Sequence, residues 1–322
     1  LKNFAFVFPG QGSQFPGMGK FLVEQFTTAK QVFEEASDAL KLDLKKLCFQ
    51  SSESDLALTY NTQPAIFVTS VAALKVLEKD FSMSAVLTAG HSVGEYAALV
   101  ASQAISIADG INAVRLRGTW MQEAVPVGVG SMAAVMGLSA DETVKMCQWA
   151  IKESKITPLS AANFNCPGQI VISGKKAAIE WLSQNLNAEK IFNEPKKIKL
   201  IPLQVSAPFH CEMMMPAQEK MKAHLKTVNF NDAKIPVVQN LTGRLHSKKT
   251  ELYENLVHQI SGPVLWMQSV QEMKAQGVQN IVEVGAGKVL AGLIKKIDSE
   301  WFQVSNLNSL EDFKLLEEKL KN

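Results

Sequence analysis

The chain has 322 residues and lacks any apolar run near the roughly 20 residues that span a bilayer, so no membrane partner is expected. Its first residues, Leu1 to Gly12, are broken by Pro9-Gly10 too soon to read as a secretory signal. Cysteine is scarce. Cys48, Cys147, Cys166 and Cys211 lie far apart with no C-x-x-C pair, which predicts reduced, unpaired thiols in a cytoplasmic protein. No basic block is interleaved with aromatics and the net charge is only +2, which argues against a nucleic-acid partner. Internal repeats and low-complexity tracts are also missing. What remains is ordinary globular material: 47% hydrophobic and 20% charged residues, enough for a sizeable core.

Phe4 to Phe8 predicts a buried strand ended by Pro9-Gly10. Helical spacing follows over 17–26, 28–40 and 63–79. Ala85 to Ala89 predicts a second buried strand, followed by a turn at Ser92 and a helix to Ala101. Ser106 to Asp109 reads as an N-cap that opens a helix to Glu123. Strands alternating with helices imply a parallel sheet covered on both faces. After Pro126 the pattern becomes strand 130–137, helix 141–151, strands 156–163 and 169–173, helix 175–186 and strand 196–203. That βαββαβ order predicts a ferredoxin-like subdomain over 128–198, inserted in a larger α/β domain made of 1–127 and 199–322. Strands at 235–240 and 280–284 and a helix at 288–296 complete the large domain.

Gly90-His91-Ser92-Val93-Gly94, after a strand and before a helix, has the Gly-x-Ser-x-Gly pattern of a nucleophile elbow. A sharp turn there strains the central residue and pushes its side chain over the sheet edge. The helix starting behind Ser92 offers free N–H groups, and Val93 is placed to donate one to a developing oxyanion. Such a serine needs a base. Of five histidines, His91 is expected on the opposite side of the turn, His224 in a polar helix, His246 in a lysine-rich loop and His258 on a helix. His210 closes Leu203 to His210, read as a strand ending in a rigid proline turn, and is the candidate base. No aspartate stands out as a third member. Either an acid comes from elsewhere or a backbone carbonyl orients the imidazole.

Two glycine-rich stretches mislead. Pro9 to Phe15 lacks the third glycine of a dinucleotide fingerprint, since Phe15 stands there, although its backbone is a candidate source of a second oxyanion N–H. Val284 to Val289 lacks both the first glycine and the Ser or Thr of a phosphate loop, leaving a plain strand-to-helix turn. Arg117 is more informative. It falls on the apolar stripe of Ile107, Gly110, Val114 and Met121, whereas Arg115 lies off it. An inward guanidinium needs a partner: an internal carboxylate, or one that arrives with a substrate.

Several motifs converge: Phe-Pro-Gly-Gln-Gly-Ser-Gln at 8–14, Thr-Gln-Pro-Ala at 62–65, Gly-His-Ser-Val-Gly-Glu-Tyr at 90–96 and Arg-Gly at 117–118 followed by Met-Gln-Glu-Ala at 121–124. Asn-Cys-Pro-Gly-Gln at 165–169, Pro-Phe-His at 208–210 and Glu-Val-Gly-Ala-Gly at 283–287 complete the set. Together they resemble the malonyl-CoA:acyl carrier protein transacylases of bacterial type II fatty acid synthesis, over essentially the whole chain. The resemblance implies an α/β hydrolase-like domain with a ferredoxin-like insertion. It implies Ser92 as nucleophile, His210 as base, Arg117 as binder of the substrate carboxylate, and Gln11 and Val93 as oxyanion donors. By the same mapping Gln259 supplies the carbonyl that orients His210, Gln63 lines the site, and Phe209 marks the malonyl-type pocket.

The implied partners are malonyl-CoA and acyl carrier protein. CoA is a substrate, and no metal or other cofactor is expected. A monomer is the expected state. Lys196, Lys197, Lys288, Lys295 and Lys296 are candidates for a basic rim facing an acidic carrier. A trans-acting polyketide acyltransferase, a serine hydrolase or thioesterase, and a non-catalytic carrier-binding protein remain as rival readings.

Overall fold

A computed structural model describes residues 3–205 and 207–321 of the chain. Among the described residues there are ten strands. In chain order they are β1 (Phe4–Phe8), β2 (Leu87–Gly90), β3 (Gly130–Met136), β4 (Leu159–Cys166), β5 (Gln169–Lys175), β6 (Lys199–Pro202), β7 (Val237–Gln239), β8 (Arg244–His246), β9 (Asn280–Glu283) and β10 (Gln303–Asn306). Six form one sheet in the order β10-β9-β1-β2-β7-β8. All its pairs are parallel except the last, where β8 runs antiparallel to β7 at the edge.

β1 shows why the sheet is covered on both sides. Alternate side chains of a strand face opposite ways. Phe4, Phe6 and Phe8 pack into one buried cluster with Phe33, Phe67 and Val71. Ala5 and Val7 pack into the other with Trp266, Val270 and Ile294. A strand buried on both faces therefore reads as a continuous apolar run, FAFVF.

The helix expected from residue 63 begins four residues earlier and spans Thr59–Lys79, with Pro64 inside it. Proline has no N–H to give the carbonyl of Tyr60 one turn back. Arg115 Nη1 donates to that carbonyl instead, at 2.6 Å, which lets the helix run through the proline.

The remaining strands form a separate sheet in the order β4-β5-β3-β6, antiparallel throughout. Helices Ala140–Ser154 and Lys176–Asn185 connect β3 to β4 and β5 to β6. This is the strand order of a βαββαβ plait. Its own apolar cluster gathers Val135, Met146, Ile172 and Leu182. Since β6 pairs with β3, the small sheet extends past residue 198 to Pro202.

Residues 203–210 were expected as a strand, and the structure corrects this. β6 ends at Pro202, and 203–205 and 207–210 form no strand. Ser206 lies outside the described residues. Pro208 removes an N–H donor from this stretch, and His210 turns into the left-handed region at φ 58°. Among the described residues no helix is long and apolar enough to cross a membrane.

Candidate active site

β1 and β2 are neighbours, and the site lies beyond their carboxyl ends, the usual crevice of an open α/β sheet. β2 ends at Gly90 and helix Gly94–Ala101 begins just after Ser92. Ser92 sits at φ 53°, a left-handed conformation that a side-chain-bearing residue adopts only when its surroundings enforce it. The glycines make the turn possible. A Cβ on Gly94 would collide with the carbonyl oxygen of Phe8 at the end of β1, and one on Gly90 with the backbone of Gly94. The turn is then pinned from β7. Ser92 N–H donates to Asn240 Oδ1 at 2.7 Å, and Asn240 Nδ2 donates to Gly90 O at 2.6 Å.

His210 approaches from the turn after Pro208. Its Nε2 is 2.7 Å from Ser92 Oγ. Its Nδ1 lies 2.9 Å from the Gln259 carbonyl oxygen and 3.2 Å from that of Gly262. Carbonyl oxygens only accept, so this network assigns the proton to Nδ1 and leaves Nε2 to accept the serine hydroxyl proton. Burial, and then the nearby Arg117 guanidinium, push the imidazole down to about 3, so it is neutral over the ordinary pH range. Two backbone carbonyls thus stand where a hydrolase triad has its acid.

Arg117 is 1% exposed. Nη1 donates to Gln63 Oε1 at 2.9 Å, and Nη2 donates to Gln259 Oε1 at 2.9 Å and to Ser92 Oγ at 3.0 Å. The guanidinium also lies over the Tyr96 ring, 5.7 Å from its centroid. Its partners are amide and hydroxyl oxygens rather than a carboxylate. Ser92, His210 and Arg117 open onto one cavity of about 150 Å³, bordered also by Gln11, Gln63 and Val93. Met132, Val171, Leu203 and Phe209 add apolar lining, and Asn163 and Asn165 add polar lining. The pocket is therefore small, mixed in polarity, and cationic beside a serine paired with a neutral imidazole.

Residues 5–310 match the family described as acyl transferase domain. The chain belongs to this acyl transferase family. It is 43% identical over 298 residues to the malonyl CoA-acyl carrier protein transacylase of Bacillus subtilis (strain 168), covering 92% of this chain and 91% of the relative. The fold matches the crystal structure of the corresponding transacylase from Clostridium perfringens with TM-score 0.91 and 36% identity, over 99% of this chain and 97% of the other. It matches equally, with TM-score 0.91 and 37% identity over 99% and 100% of the two chains, a malonyl-transacylase solved in complex with its type II PKS acyl-carrier protein.

Every residue that the sequence singles out for this acyltransferase's site borders the cavity, except Gln259, which reaches it through Arg117 and His210. His91, expected on the far side of the turn, has its ring held by Asn165 Oδ1 at 2.8 Å and packed against the Trp266 ring, and the residue also borders the cavity. The 284–289 stretch is an ordinary turn: Glu283 accepts from the N–H groups of Leu290 and Ala291, occupying the helix N-terminus that an anion would need. Lys196 is engaged by Glu142 and Glu194 at 2.8 and 2.7 Å, so its charge is compensated. Sequence reasoning missed Asn240 and Glu95. Two polar residues, Gln239 and Asn240, directly after the apolar Val237-Val238 were the available signal.

Proposed function

We propose that the chain transfers the malonyl group of malonyl-CoA to the phosphopantetheine thiol of an acyl carrier protein through a malonyl-Ser92 intermediate. The observation that carries this is the buried Arg117 guanidinium, which among the described residues is hydrogen-bonded by amide and hydroxyl oxygens and by no carboxylate, and lies 3.0 Å from the serine oxygen. An acyl group with a carboxylate tail fits that spacing: the carboxylate meets the arginine fork while the thioester carbonyl meets Ser92.

His210 Nε2 takes the Ser92 proton as Oγ attacks the thioester carbonyl. The N–H groups of Gln11 and Val93 stabilise the tetrahedral oxyanion. Collapse breaks the carbon–sulfur bond, and the imidazolium returns its proton to the CoA thiolate. Thiols leave readily, with pKa about 8.5. In the second half, His210 takes the proton of the carrier thiol, which attacks malonyl-Ser92 and releases the serine. Both halves use protein groups and the two thiols, and CoA enters as substrate.

We take 1–127 with 199–322 as the large unit and 128–198 as the small one, whose sheet runs on to Pro202; Ser92, Arg117 and His210 of the first and Met132, Asn163 and Val171 of the second line the cavity. We take the pathway served to be fatty acid synthesis, as the motifs of the sequence imply. The neighbour solved with a polyketide carrier supports a second reading, supply of malonyl to a polyketide carrier. Comparing transfer to the two carrier types separates them. Lys197, Lys288, Lys295 and Lys296 remain candidates for the docking rim, and transfer that is insensitive to salt would remove them. A cytoplasmic location fits the four buried, free cysteines.

The test is intact mass after mixing with malonyl-CoA, followed by addition of holo-carrier. A malonyl-enzyme that persists and then empties onto the carrier supports transfer. Rapid release of free malonate, with no carrier product, assigns a hydrolase instead.

A further inference from the structure

We propose that Asn240 and Glu95 are positioning residues for the nucleophile, forming a closed hydrogen-bonded ring around the strained turn. The proposal rests on the reading of Ser92 as nucleophile and goes beyond it.

Asn240 follows β7, the strand beside β2, so its side chain reaches across to the end of β2. It donates to Gly90 O and accepts from Ser92 N–H, which fixes its amide orientation without ambiguity. Both peptide units leading into Ser92 are therefore held by one side chain. The unit leaving Ser92 is held as well. Gln259 Nε2 donates to Ser92 O at 3.0 Å, and Glu95 N–H donates to the same oxygen at 3.1 Å. In a trans peptide the N–H points opposite to the C=O. Holding Ser92 O thus aims the Val93 N–H, the oxyanion donor of the proposed mechanism.

Glu95 lies behind this arrangement in the first turn of helix Gly94–Ala101 and has no exposed surface. Asn240 N–H donates to its Oε2 at 2.7 Å, and Gln239 Nε2 donates to its Oε1 at 3.1 Å. Gln239 cannot turn its amide around, since it also donates to Leu252 O and accepts from Asn255 Nδ2. Two fixed donors therefore converge on the carboxylate. An amide at position 95 offers only one acceptor oxygen and sets its NH₂ against the second donor. The chain thus carries a buried acid next to its nucleophile. It acts on the backbone that carries the serine, whereas in a triad the acid acts on the histidine.

The test measures malonyl-enzyme formation by rapid quench and, separately, labelling of Ser92 by phenylmethanesulfonyl fluoride, a neutral reagent that does not need the Arg117 fork. Asn240→Ala is expected to lower the acylation kcat about 10²-fold with KM for malonyl-CoA within about twofold, the signature of a misplaced reacting atom. The labelling rate falls in parallel. Asn240→Asp, which matches the size but turns an oxygen toward Gly90 O, and Glu95→Gln, which matches shape, are expected to show the same split with a loss of about tenfold or more. They decide the matter if Asn240→Ala does not fold. The proposal is overturned if folded Asn240→Asp and Glu95→Gln acylate within about threefold of wild type, or if the losses lie in KM alone. A wild-type enzyme that forms no malonyl-serine at all would instead overturn the proposed function.

Discussion

The Nη2 of Arg117 lies 3.0 Å from Ser92 Oγ, so a buried guanidinium and the elbow serine are in direct contact. Both open onto one cavity of about 150 Å³.

Arg117→Ala removes the charge partner of a buried carboxylate. Stranding such a charge costs about 3–5 kcal/mol, so kcat/KM for malonyl-CoA is expected to fall by roughly two to nearly four orders of magnitude. Acetyl-CoA has no carboxylate to strand and loses much less. The ratio of the two specificity constants is the measurement, and a preserved malonyl preference would contradict the clamp.

Gln259→Ala separates the backbone of this residue from its side chain. The carbonyl on His210 Nδ1 remains, while the bonds to Arg117 and to Ser92 O are lost. A hydrogen bond to a charged group is worth about 1.5–3 kcal/mol, so malonyl-CoA turnover should fall roughly ten- to a hundredfold. The enzyme should still acylate, because the imidazole keeps its orientation. Complete loss of acyl-enzyme would mean that the side chain does more.

Phe209, 7% exposed, walls the cavity beside His210. Phe209→Ala opens room for a branch on the acyl chain. One methyl group is worth about 1–3 kcal/mol of discrimination, so the preference for malonyl-CoA over methylmalonyl-CoA should narrow by about 10–200-fold. Competition between the two thioesters reads this directly.

Two buried groups beside the nucleophile make opposite contributions to stability. Burial, and then Arg117, lower His210 from 6.5 to about 3, so between those values the unfolded chain holds the extra proton and stability rises with pH. Burial raises Glu95 from 4.5 to about 7 against the hydrogen bonds it accepts, so between those values the folded chain holds the extra proton and stability falls with pH. The two slopes oppose each other from 4.5 to 6.5. Glu95→Gln removes one of them. Its melting temperature is expected to climb more steeply with pH across that window than that of wild type, and parallel curves would count against the Glu95 shift.

The elbow was legible because its cause is local: Gly90 and Gly94 must lack side chains where β1 and β2 meet the next helix. Arg117 was legible because a cation breaks an apolar helical stripe. The strand expected at 203–210 failed because Leu203, Val205 and Phe209 are apolar for the sake of a cavity they line, and among the described residues only the Leu203 N–H still bonds to β3. Asn240 and Glu95 were not legible. Their partners across the elbow lie 144 or more positions away in the chain, and a polar side chain after a strand gives no sign of which backbone groups it will meet. The Gln259 carbonyl was harder still. Every residue carries that group, and only the resemblance to a family singled this one out.

The central claim is that Ser92 carries malonyl because Arg117 holds its carboxylate. It is tested most directly by intact mass spectrometry of wild type and Ser92→Ala after exposure to malonyl-, acetyl- and methylmalonyl-CoA. The account expects a single malonyl adduct on wild type, little acetyl, and none of the three on Ser92→Ala. Equal labelling by acetyl-CoA, or a malonyl adduct surviving on Ser92→Ala, would contradict it.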